Sequence, residues 1–219
     1  MEISYYGHSC FKIKGSAGTV VTDPYEPSVG FSLPTVSADL VTVSHQHSDH
    51  NAAKLINGTA RRDRPFIIDQ AGEYEVGGIS VFGVSTFHDP NGGVERGRSI
   101  VFTILIDGIR VCHLGDLGHE LTQEQLSEIG SVDVVIVPVG GTFTIDPALA
   151  TKTIHMLEPA IAIPMHYKTP DHDQQVYGEL ATISDFLQAF GSETKPVAKL
   201  TLEASRLPEE TELVVLASL

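Results

Sequence analysis

The sequence predicts a domain of mixed class, α/β in the broad sense and α+β in the narrower one. Two mixed β-sheets pack together in it, and helices lie outside them. Short apolar runs separated by turn residues fill residues 1–113, a pattern typical of strands. After residue 120, helix-start signals alternate with further apolar runs of strand length. No repeat, low-complexity tract or linker divides the chain, so we expect a single domain over residues 1–219.

The N-terminal half is predicted to consist of short strands. We expect them at residues 3–6, 10–14, 19–22, 40–44, 65–68, 79–87, 99–106 and 109–113. Gly7 and the 15–18 stretch supply turns between the first three strands. Asp107-Gly108 predicts a hairpin between the last two strands, because this pair accepts the left-handed backbone of a tight hairpin turn.

The C-terminal half is predicted to add helices and further strands. Thr122 and Gln125 form a capping-box pattern that opens a helix ending near residue 129. Asp146 before Pro147 is typical of a helix start, and this helix should end near residue 157. A third helix is expected at residues 178–190. Strands are expected at residues 134–138, 161–165, 199–202 and 212–216.

Composition restricts the classes of function. The 219 residues are 42% hydrophobic and 19% charged, which is ordinary for a folded soluble protein. The net charge of −14 disfavours nonspecific nucleic-acid binding, which depends on clustered Lys and Arg. The apolar runs have strand length, so we expect no membrane span. There is no signal-peptide pattern and Cys10 and Cys112 form no close pair, so we expect a cytoplasmic protein without a disulfide framework.

The segment from His45 to His50 is the strongest functional signal. Its sequence HQHSDH places three imidazoles and a carboxylate directly after the predicted strand at 40–44, and these are the side chains that transition metals bind. His45 and His47 point the same way if the segment is extended, so both can bind one ion. Asp49 and His50 follow a turn and can face a second ion. The loop therefore predicts part of a two-metal site.

Three further residues stand where predicted strands end. They are His88, Asp116 and His166. Each one alone has an ordinary explanation as a loop or core residue. Because a two-metal site needs more ligands than the loop holds, the three together with the loop predict a shared metal centre.

The combined pattern resembles the metallo-β-lactamase superfamily. It consists of HxHxDH, a strand-end His, Gly-Asp and a second strand-end His. The motifs YGHSCF at 6–11, VTDPY at 21–25, HLGD at 113–116, VPVGG at 137–141 and IPMHY at 163–167 resemble the short bacterial and archaeal metal-dependent hydrolases of that superfamily. Ascorbate-6-phosphate lactonases and N-acylphosphatidylethanolamine phospholipases lie near this branch. The resemblance covers about residues 1–170.

The resemblance implies a four-layer αββα sandwich with a dinuclear metal site at one edge of the two sheets. It implies two divalent transition-metal ions, taken here as zinc, with manganese and iron as alternatives that this mixed set of ligands also suits. The implied ligands are His45, His47 and His88 for one ion, Asp49, His50 and His166 for the other, and Asp116 as a bridge. Asp23 would support the ligand loop, with a plain Asp-Pro turn as its alternative.

The resemblance also implies a hydrolase in which a metal-activated water cleaves a small ester, lactone or phosphodiester. Asp49 is the candidate that orients this water and shuttles its proton. His8 is a second catalytic candidate, with a structural hydrogen-bonding role as its alternative. The expected partner is a small-molecule substrate, nucleic acid is not expected, and homo-oligomerisation stays open.

Two other functions are kept as alternatives. The first is a noncatalytic metal-binding module, which the seven filled ligand positions disfavour. The second is a diiron oxidoreductase on the same fold, which typically has Glu where this chain has His47.

Other positions concern the surroundings of the site. Relatives often have His after the paired glycines, where this chain has Thr142. The loop there is expected to line the substrate pocket, so the substrate of a relative does not carry over to this chain. His113 is expected to pack behind the site. The other histidines are expected to be surface or helix residues: His119, His155 and His172.

Overall fold

The computed structural model describes residues 1–219 and contains two mixed β-sheets with few helices. The first sheet has the strand order β12-β1-β2-β3-β4-β5, with β1 Glu2–Tyr5, β2 Phe11–Lys14, β3 Thr19–Thr22, β4 Leu40–Thr42, β5 Phe66–Ile68 and β12 Leu200–Thr201. The second has the order β13-β11-β10-β9-β8-β7-β6, with β6 Gly72–Val76, β7 Ile79–Phe87, β8 Arg98–Ile106, β9 Ile109–His113, β10 Val134–Pro138, β11 Ile161–Met165 and β13 Glu212–Leu213. The predicted α+β class is confirmed.

Four α-helices connect or cover the strands, namely α1 Gln123–Ile129, α2 Pro147–Leu157, α3 Gln174–Tyr177 and α4 Ile183–Phe190. Thr122 and Gln125 form the predicted capping box, and the Asp146 side chain caps α2 by accepting from the Leu149 amide. None of the helices has both the length and the apolar character that a membrane crossing requires.

The third predicted helix, at 178–190, is wrong at its start. The chain forms the short α3, and α4 begins only after Thr182. Thr182 and Asp185 make a reciprocal capping box there, which satisfies free backbone N–H groups at the first turn. The helix therefore begins at the residue that caps it.

The strand predictions differ from the structure mainly at polar edges. Strand β6 was not predicted, although Glu73-Tyr74-Glu75-Val76 alternates polar and apolar residues, because the pattern is short and most of the strand is exposed at the edge of the second sheet. The last strand pairs only over Glu212–Leu213, shorter than the predicted 212–216. The Asp107-Gly108 hairpin between β8 and β9 is confirmed, with positive φ at both residues.

The strands of the first sheet separate two hydrophobic clusters. The larger cluster contains 39 buried residues from both sheets, among them Leu40 and Val20. The smaller contains 14, among them Val41 and Val21. Because neighbouring residues of a strand face opposite sides, β3 and β4 each contribute to both clusters. Two 3₁₀ turns and α3 cover the outer face of the first sheet, while α1 and α2 contact the second sheet.

The strand ends bring the predicted ligands to one edge of this two-sheet stack. Strand β4 is parallel to β3, and β9, β10 and β11 are parallel to one another. Parallel strands end at the same edge of a sheet, so the segments that follow β9 and β11 lie close together. The segment after β4 is joined to the second sheet by the Ile100 amide of β8, which donates to the Ser44 carbonyl.

Candidate metal centre

The loop after β4 is fixed by a buried carboxylate. Asp23 accepts hydrogen bonds from the Ser44 amide at 2.7 Å and from the Ser44 hydroxyl at 2.6 Å. Its Oδ2 also lies 3.0 Å from Nδ1 of His50. These contacts orient both ends of the segment from residue 44 to residue 50, as carboxylates behind metal ligands commonly do. The supporting position predicted for Asp23 therefore matches its contacts.

His45, His47 and His88 converge into one group. Each can offer a ring nitrogen within 4.8 Å of those of the other two. The centroid of the His45 ring lies 4.5 Å from that of the His47 ring and 4.7 Å from that of the His88 ring. His45 and His88 are buried, while His47 is exposed and opens the group towards solvent.

Asp49, His50 and His166 form a second group, together with His8. One ligand atom of each lies within 4.8 Å of the others. His50 and His166 are fully buried and Asp49 is partly exposed. The short loop thus directs His45 and His47 to one group and Asp49 and His50 to the other.

Asp116 lies between the two groups. Its Oδ2 atom is 3.2 Å from Nε2 of His88 on one side. On the other side it is 3.2 Å from Nε2 of His50 and 3.4 Å from Nε2 of His166. The same oxygen is 3.9 Å from Nε2 of His45. A single buried carboxylate therefore reaches both groups.

Several buried polar atoms in these groups have no hydrogen-bond partner. They are Nε2 of His45, Nε2 of His50, Nδ1 of His88, Oδ1 of Asp116 and both ring nitrogens of His166. Unpartnered buried polar atoms are uncommon in folded proteins and each costs about 1–3 kcal/mol. Imidazole nitrogens and carboxylate oxygens are the ligands of zinc and similar ions, so these residues fit divalent transition metals.

The charges around His50 also favour a bound cation. Three buried or partly buried carboxylates, those of Asp23, Asp49 and Asp116, lie within 3.7 Å of its ring. Burial alone would lower the pKa of His50, but Asp116 and Asp49 outweigh it and raise that pKa well above its usual value. A metal ion would offset the same negative charge.

Burial keeps two other imidazoles of the centre, those of His45 and His47, neutral. Burial, with His50 nearby, lowers the pKa of His45 to about 3. Burial also lowers the pKa of His47, followed by the effect of His88. Neutral imidazole is the form that coordinates a metal, so these two side chains are ready to bind without first losing a proton.

His8 lies in the site but behind Asp49. Its Nε2 is 3.3 Å from Oδ2 of Asp49, and its Nδ1 is 3.1 Å from Nε2 of His172. His172 is held in turn by Thr169, whose hydroxyl lies 3.0 Å from Nδ1 of the ring. The hydroxyl of Tyr177 donates to the same oxygen of Asp49 at 3.1 Å. A row of hydrogen-bonding groups therefore fixes Asp49.

The expectation for His172 was wrong. Its side chain is only 3% exposed and contacts His8, Phe31 and Tyr177, so it is neither a surface nor a helix residue. His113 does pack behind the site, with Nε2 donating to the Ser9 carbonyl at 2.9 Å. His155 lies on the exposed face of α2, as expected.

Two neighbouring cavities open beside the ligand groups. One, of about 350 Å³, is lined by His47, Asp49, His88, Glu95, Arg96, Asp116, Phe143, Val176 and Tyr177. The other, of about 580 Å³, includes His45 and His47 together with Arg96 and Arg98. The loop after β10 reaches the first cavity through Phe143, whereas the Thr142 hydroxyl donates to the Glu179 carbonyl. The loop expected to line the pocket does so through Phe143, whereas sequence reasoning missed Arg96 and Tyr177, which have no motif of their own.

Comparison with known proteins defines the class. The profile of the family described as Beta-lactamase superfamily domain matches residues 2–166, and the chain belongs to that family. A solved structure from Thermotoga maritima, described as a Zn-dependent hydrolase of the metallo-β-lactamase superfamily, is 41% identical, has a TM-score of 0.79 and covers 98% of this chain and 97% of its own. The resemblance to the superfamily is thereby confirmed.

Curated relatives carry the same class name. A metal-dependent hydrolase of Methanospirillum hungatei is 31% identical over 83% of this chain and 89% of its own length. One of Thermococcus onnurineus is 27% identical over 84% of this chain and 95% of its own length. The protein is therefore classed among the metal-dependent hydrolases of the metallo-β-lactamase superfamily.

Proposed function

We propose that this protein hydrolyses a small ester, lactone or phosphodiester with the help of two divalent transition-metal ions. The observation that carries the proposal is the position of Asp116, whose Oδ2 lies within 3.2 Å of His50 in one group and of His88 in the other. A carboxylate that reaches two groups of metal-binding side chains supports a pair of neighbouring ions.

The residues divide into two proposed sets of ligands. His45, His47 and His88 would hold one ion, Asp49, His50 and His166 the other, and Asp116 both. The chemistry that such a pair supplies when bound is activation of a water molecule for attack on a carbonyl or phosphoryl centre. Zinc is proposed first because imidazole predominates among the ligands, and manganese and iron are left to metal analysis.

Asp49 is proposed to position the attacking water and to accept its proton at Oδ2. Burial alone would raise the pKa of Asp49, but His50 and the hydrogen bond with His8 outweigh it and lower that pKa. The carboxylate is therefore ionised, which suits it to orient the water by hydrogen bonding, while its lowered pKa limits it to relaying the proton and not keeping it. His8 and Tyr177 contact the same oxygen and keep it directed towards the cavity. His8 is thus proposed as a positioning residue.

The surroundings of the site support a small substrate. The adjoining cavity of about 350 Å³ is within the usual size range for small-molecule pockets. Phe143, Val176 and Tyr177 give one wall an apolar surface beside the polar ligands. The net charge of −14 argues against nucleic acid as the substrate. Cys10 and Cys112 are free thiols, which supports a reducing cytoplasmic location.

The cavity also favours a hydrolase over a noncatalytic module. A site that only stores metal does not need a substrate-sized space next to a carboxylate oriented by two hydrogen bonds. A diiron β-hydroxylase from Streptomyces venezuelae is 13% identical to this chain, and this likeness concerns the fold alone, so it does not favour the diiron alternative.

Metal analysis combined with a hydrolysis panel tests the proposal. Purified protein should carry close to two transition-metal ions per chain and cleave at least one member of a panel of lactones, phosphodiesters and acyl esters. Asp116→Ala and His47→Ala should lose both metal and activity, whereas His155→Ala on the exposed face of α2 should lose neither. Full metal content and activity in the first two variants would overturn the proposal.

A further inference from the structure

A rigid loop places Arg96 at the proposed active site. The loop after β7 folds around the carboxylate of Asp89, which is fully buried. This carboxylate accepts hydrogen bonds of 2.8–3.0 Å from the backbone amides of Asn91, Gly93, Glu95 and Arg96. The amide of Arg96 makes the shortest of these bonds. The position of Arg96 is therefore set by an internal carboxylate and does not depend on a ligand.

The guanidinium of Arg96 has little to bind within the protein. Its Cζ lies 5.8 Å from the centre of the Phe143 ring, which holds the side chain against the cavity wall. Its nearest charged partner is the adjacent Glu95, at 3.7 Å, and Glu95 also accepts from Asn91 at 2.5 Å. Its N–H groups donate no hydrogen bond to the protein. An exposed pair of neighbours at that distance is weak, so a ligand can replace it.

Arg96 is the only Lys or Arg that lines the cavity containing Asp49 and Asp116. This cationic group adjoins the apolar wall formed by Phe143, Val176 and Tyr177. A substrate that has its cleavable bond at the metal ligands would therefore place its remaining part between an apolar surface and a guanidinium. Guanidinium binds planar oxyanions through two parallel hydrogen bonds.

We infer that Arg96 binds an anionic group, a carboxylate or a phosphate, on the part of the substrate that is not cleaved. This inference rests on the proposed hydrolase function and narrows its substrate class to anionic small molecules. The chain has 14 Lys and Arg against 28 Asp and Glu, and this cavity is lined by the carboxylates of Asp49, Glu95 and Asp116, so Arg96 is the one cationic side chain there that an anion could bind.

Arg98 is a matched control for this inference. It is two residues further along the same segment, at the start of β8, and is exposed. It lines the larger cavity, with His45 and His47, but not the cavity that holds Asp49 and Asp116. Replacing Arg98 removes the same charge from the same region without touching the proposed subsite.

Direct binding tests the inference on metal-loaded protein. The probes are phenylacetate, phenyl phosphate and neutral benzyl alcohol, titrated by NMR. Arg96→Gln should weaken binding of at least one anion by about 10-fold or more while leaving benzyl alcohol unchanged, because a charge-assisted hydrogen bond is lost. Arg98→Gln should change each affinity by less than about 2-fold. The two anions separate a carboxylate site from a phosphate site.

Three results would overturn the inference that Arg96 binds an anionic group. Anion binding that is equal in the wild type and Arg96→Gln would overturn the inference, since the anion would then be held by the metals alone. The same holds if the wild type prefers benzyl alcohol or if Arg98→Gln causes the larger loss. A protein that hydrolyses nothing but binds anions through Arg96 would overturn the proposed hydrolase function and leave this binding site in place.

Discussion

Nδ1 of His8 lies 3.1 Å from Nε2 of His172, in a buried contact between residues 164 positions apart in the chain. This contact holds the ring of His8 from behind, while its other nitrogen faces Asp49 at 3.3 Å. The orientation of the carboxylate proposed to accept the proton therefore depends on His172, which does not contact it.

Replacing His172 by Ala should affect both stability and turnover. Nδ1 of the fully buried His8 would lose its partner, so the free energy of unfolding should fall by about 1–3 kcal/mol. Because Asp49 would be less well oriented, kcat should fall and the ion proposed to bind Asp49 should be held less tightly, while KM changes little. Urea unfolding, steady-state kinetics and metal analysis measure the three quantities.

His155 provides the control for this variant. It lies exposed on α2 and stacks on Phe190 at 6.0 Å between ring centres. His155→Ala should change the free energy of unfolding by less than about 0.5 kcal/mol and leave kcat unchanged. If His172→Ala behaved in the same way, His172 would have no positioning role.

The metal-binding loop could be predicted from sequence because its information is local. HQHSDH contains four of the proposed ligands within six residues, and a strand of apolar residues precedes it. The strand-end positions of His88, Asp116 and His166 could also be recognised, since apolar runs mark the strands. The sequence also contains the capping pair of α4, Thr182 and Asp185, yet the helix was predicted to begin earlier, at residue 178.

The remaining parts of the site depend on tertiary contacts. Nothing near His172 distinguishes it from a surface histidine, because its partner His8 belongs to the first loop of the chain. Arg96 resembles any loop arginine until Asp89 folds the segment beneath it. Tyr177, on α3, likewise becomes a cavity residue only when this helix meets the loop after β10. Local patterns carry no information on such contacts.

Asp23 should be required for metal affinity although it is not a proposed ligand. Asp23→Ala would remove the acceptor for Ser44 and for Nδ1 of His50. We expect metal affinity to fall by about 10- to 100-fold, the usual effect of losing such a supporting carboxylate. Competition with a chromophoric chelator measures it. Unchanged affinity would show that the loop keeps its shape without Asp23.

Removing the metals should destabilise the fold. The unpartnered buried atoms in the centre include Nε2 of His45 and Nε2 of His50. Ions that bind these atoms only in the folded state stabilise it by about 2.7 kcal/mol when present at 100 times the dissociation constant. Thermal unfolding before and after chelation should show a lower Tm without metal, with recovery on adding zinc.

Asp116→Ala serves as the control for metal-dependent stability. It lacks the shared carboxylate, so zinc should raise its Tm much less than that of the wild type. If zinc raised both by the same amount, the stabilising ions would bind elsewhere in the protein.

The two cysteines should be unreactive in the folded protein. Burial raises the pKa of Cys112 to about 12, against a smaller opposing effect of the hydrogen bond with Thr103. Burial also raises the pKa of Cys10 well above its usual value. Because the thiolate is the reactive form, a disulfide reagent at pH 8 should modify neither thiol in native protein and both in urea.

The same raised pKa values predict a loss of stability at alkaline pH. An unfolded chain releases its thiol protons near pH 8.5, whereas folded Cys112 keeps its proton up to about pH 12. The stabilisation from the neutral buried thiol is therefore complete below pH 8.5 and lost progressively above it. Cys112→Ala should show a weaker decline of unfolding free energy between pH 8.5 and 11 than the wild type does.

Two glycines should allow the metal ions to be perturbed one at a time. A Cβ on Gly118 would collide with the backbone of His88 and Asp89, and a Cβ on Gly140 would collide with the backbone carbonyl of His166. Neither glycine has a positive φ, so the added methyl group acts by displacing its neighbour and not by straining its own backbone. His88 and His166 belong to different proposed sets of ligands.

Gly118→Ala should therefore weaken the ion held by His45, His47 and His88, and Gly140→Ala the ion held by Asp49, His50 and His166. Cadmium NMR measures this directly, because a set of three imidazoles with one carboxylate and a set of two imidazoles with two carboxylates give separate resonances. Each variant is the control for the other: both should keep one resonance and lose or broaden the opposite one. Loss of the same resonance in both variants, or of both together, would contradict the division of the ligands into two sets joined by Asp116.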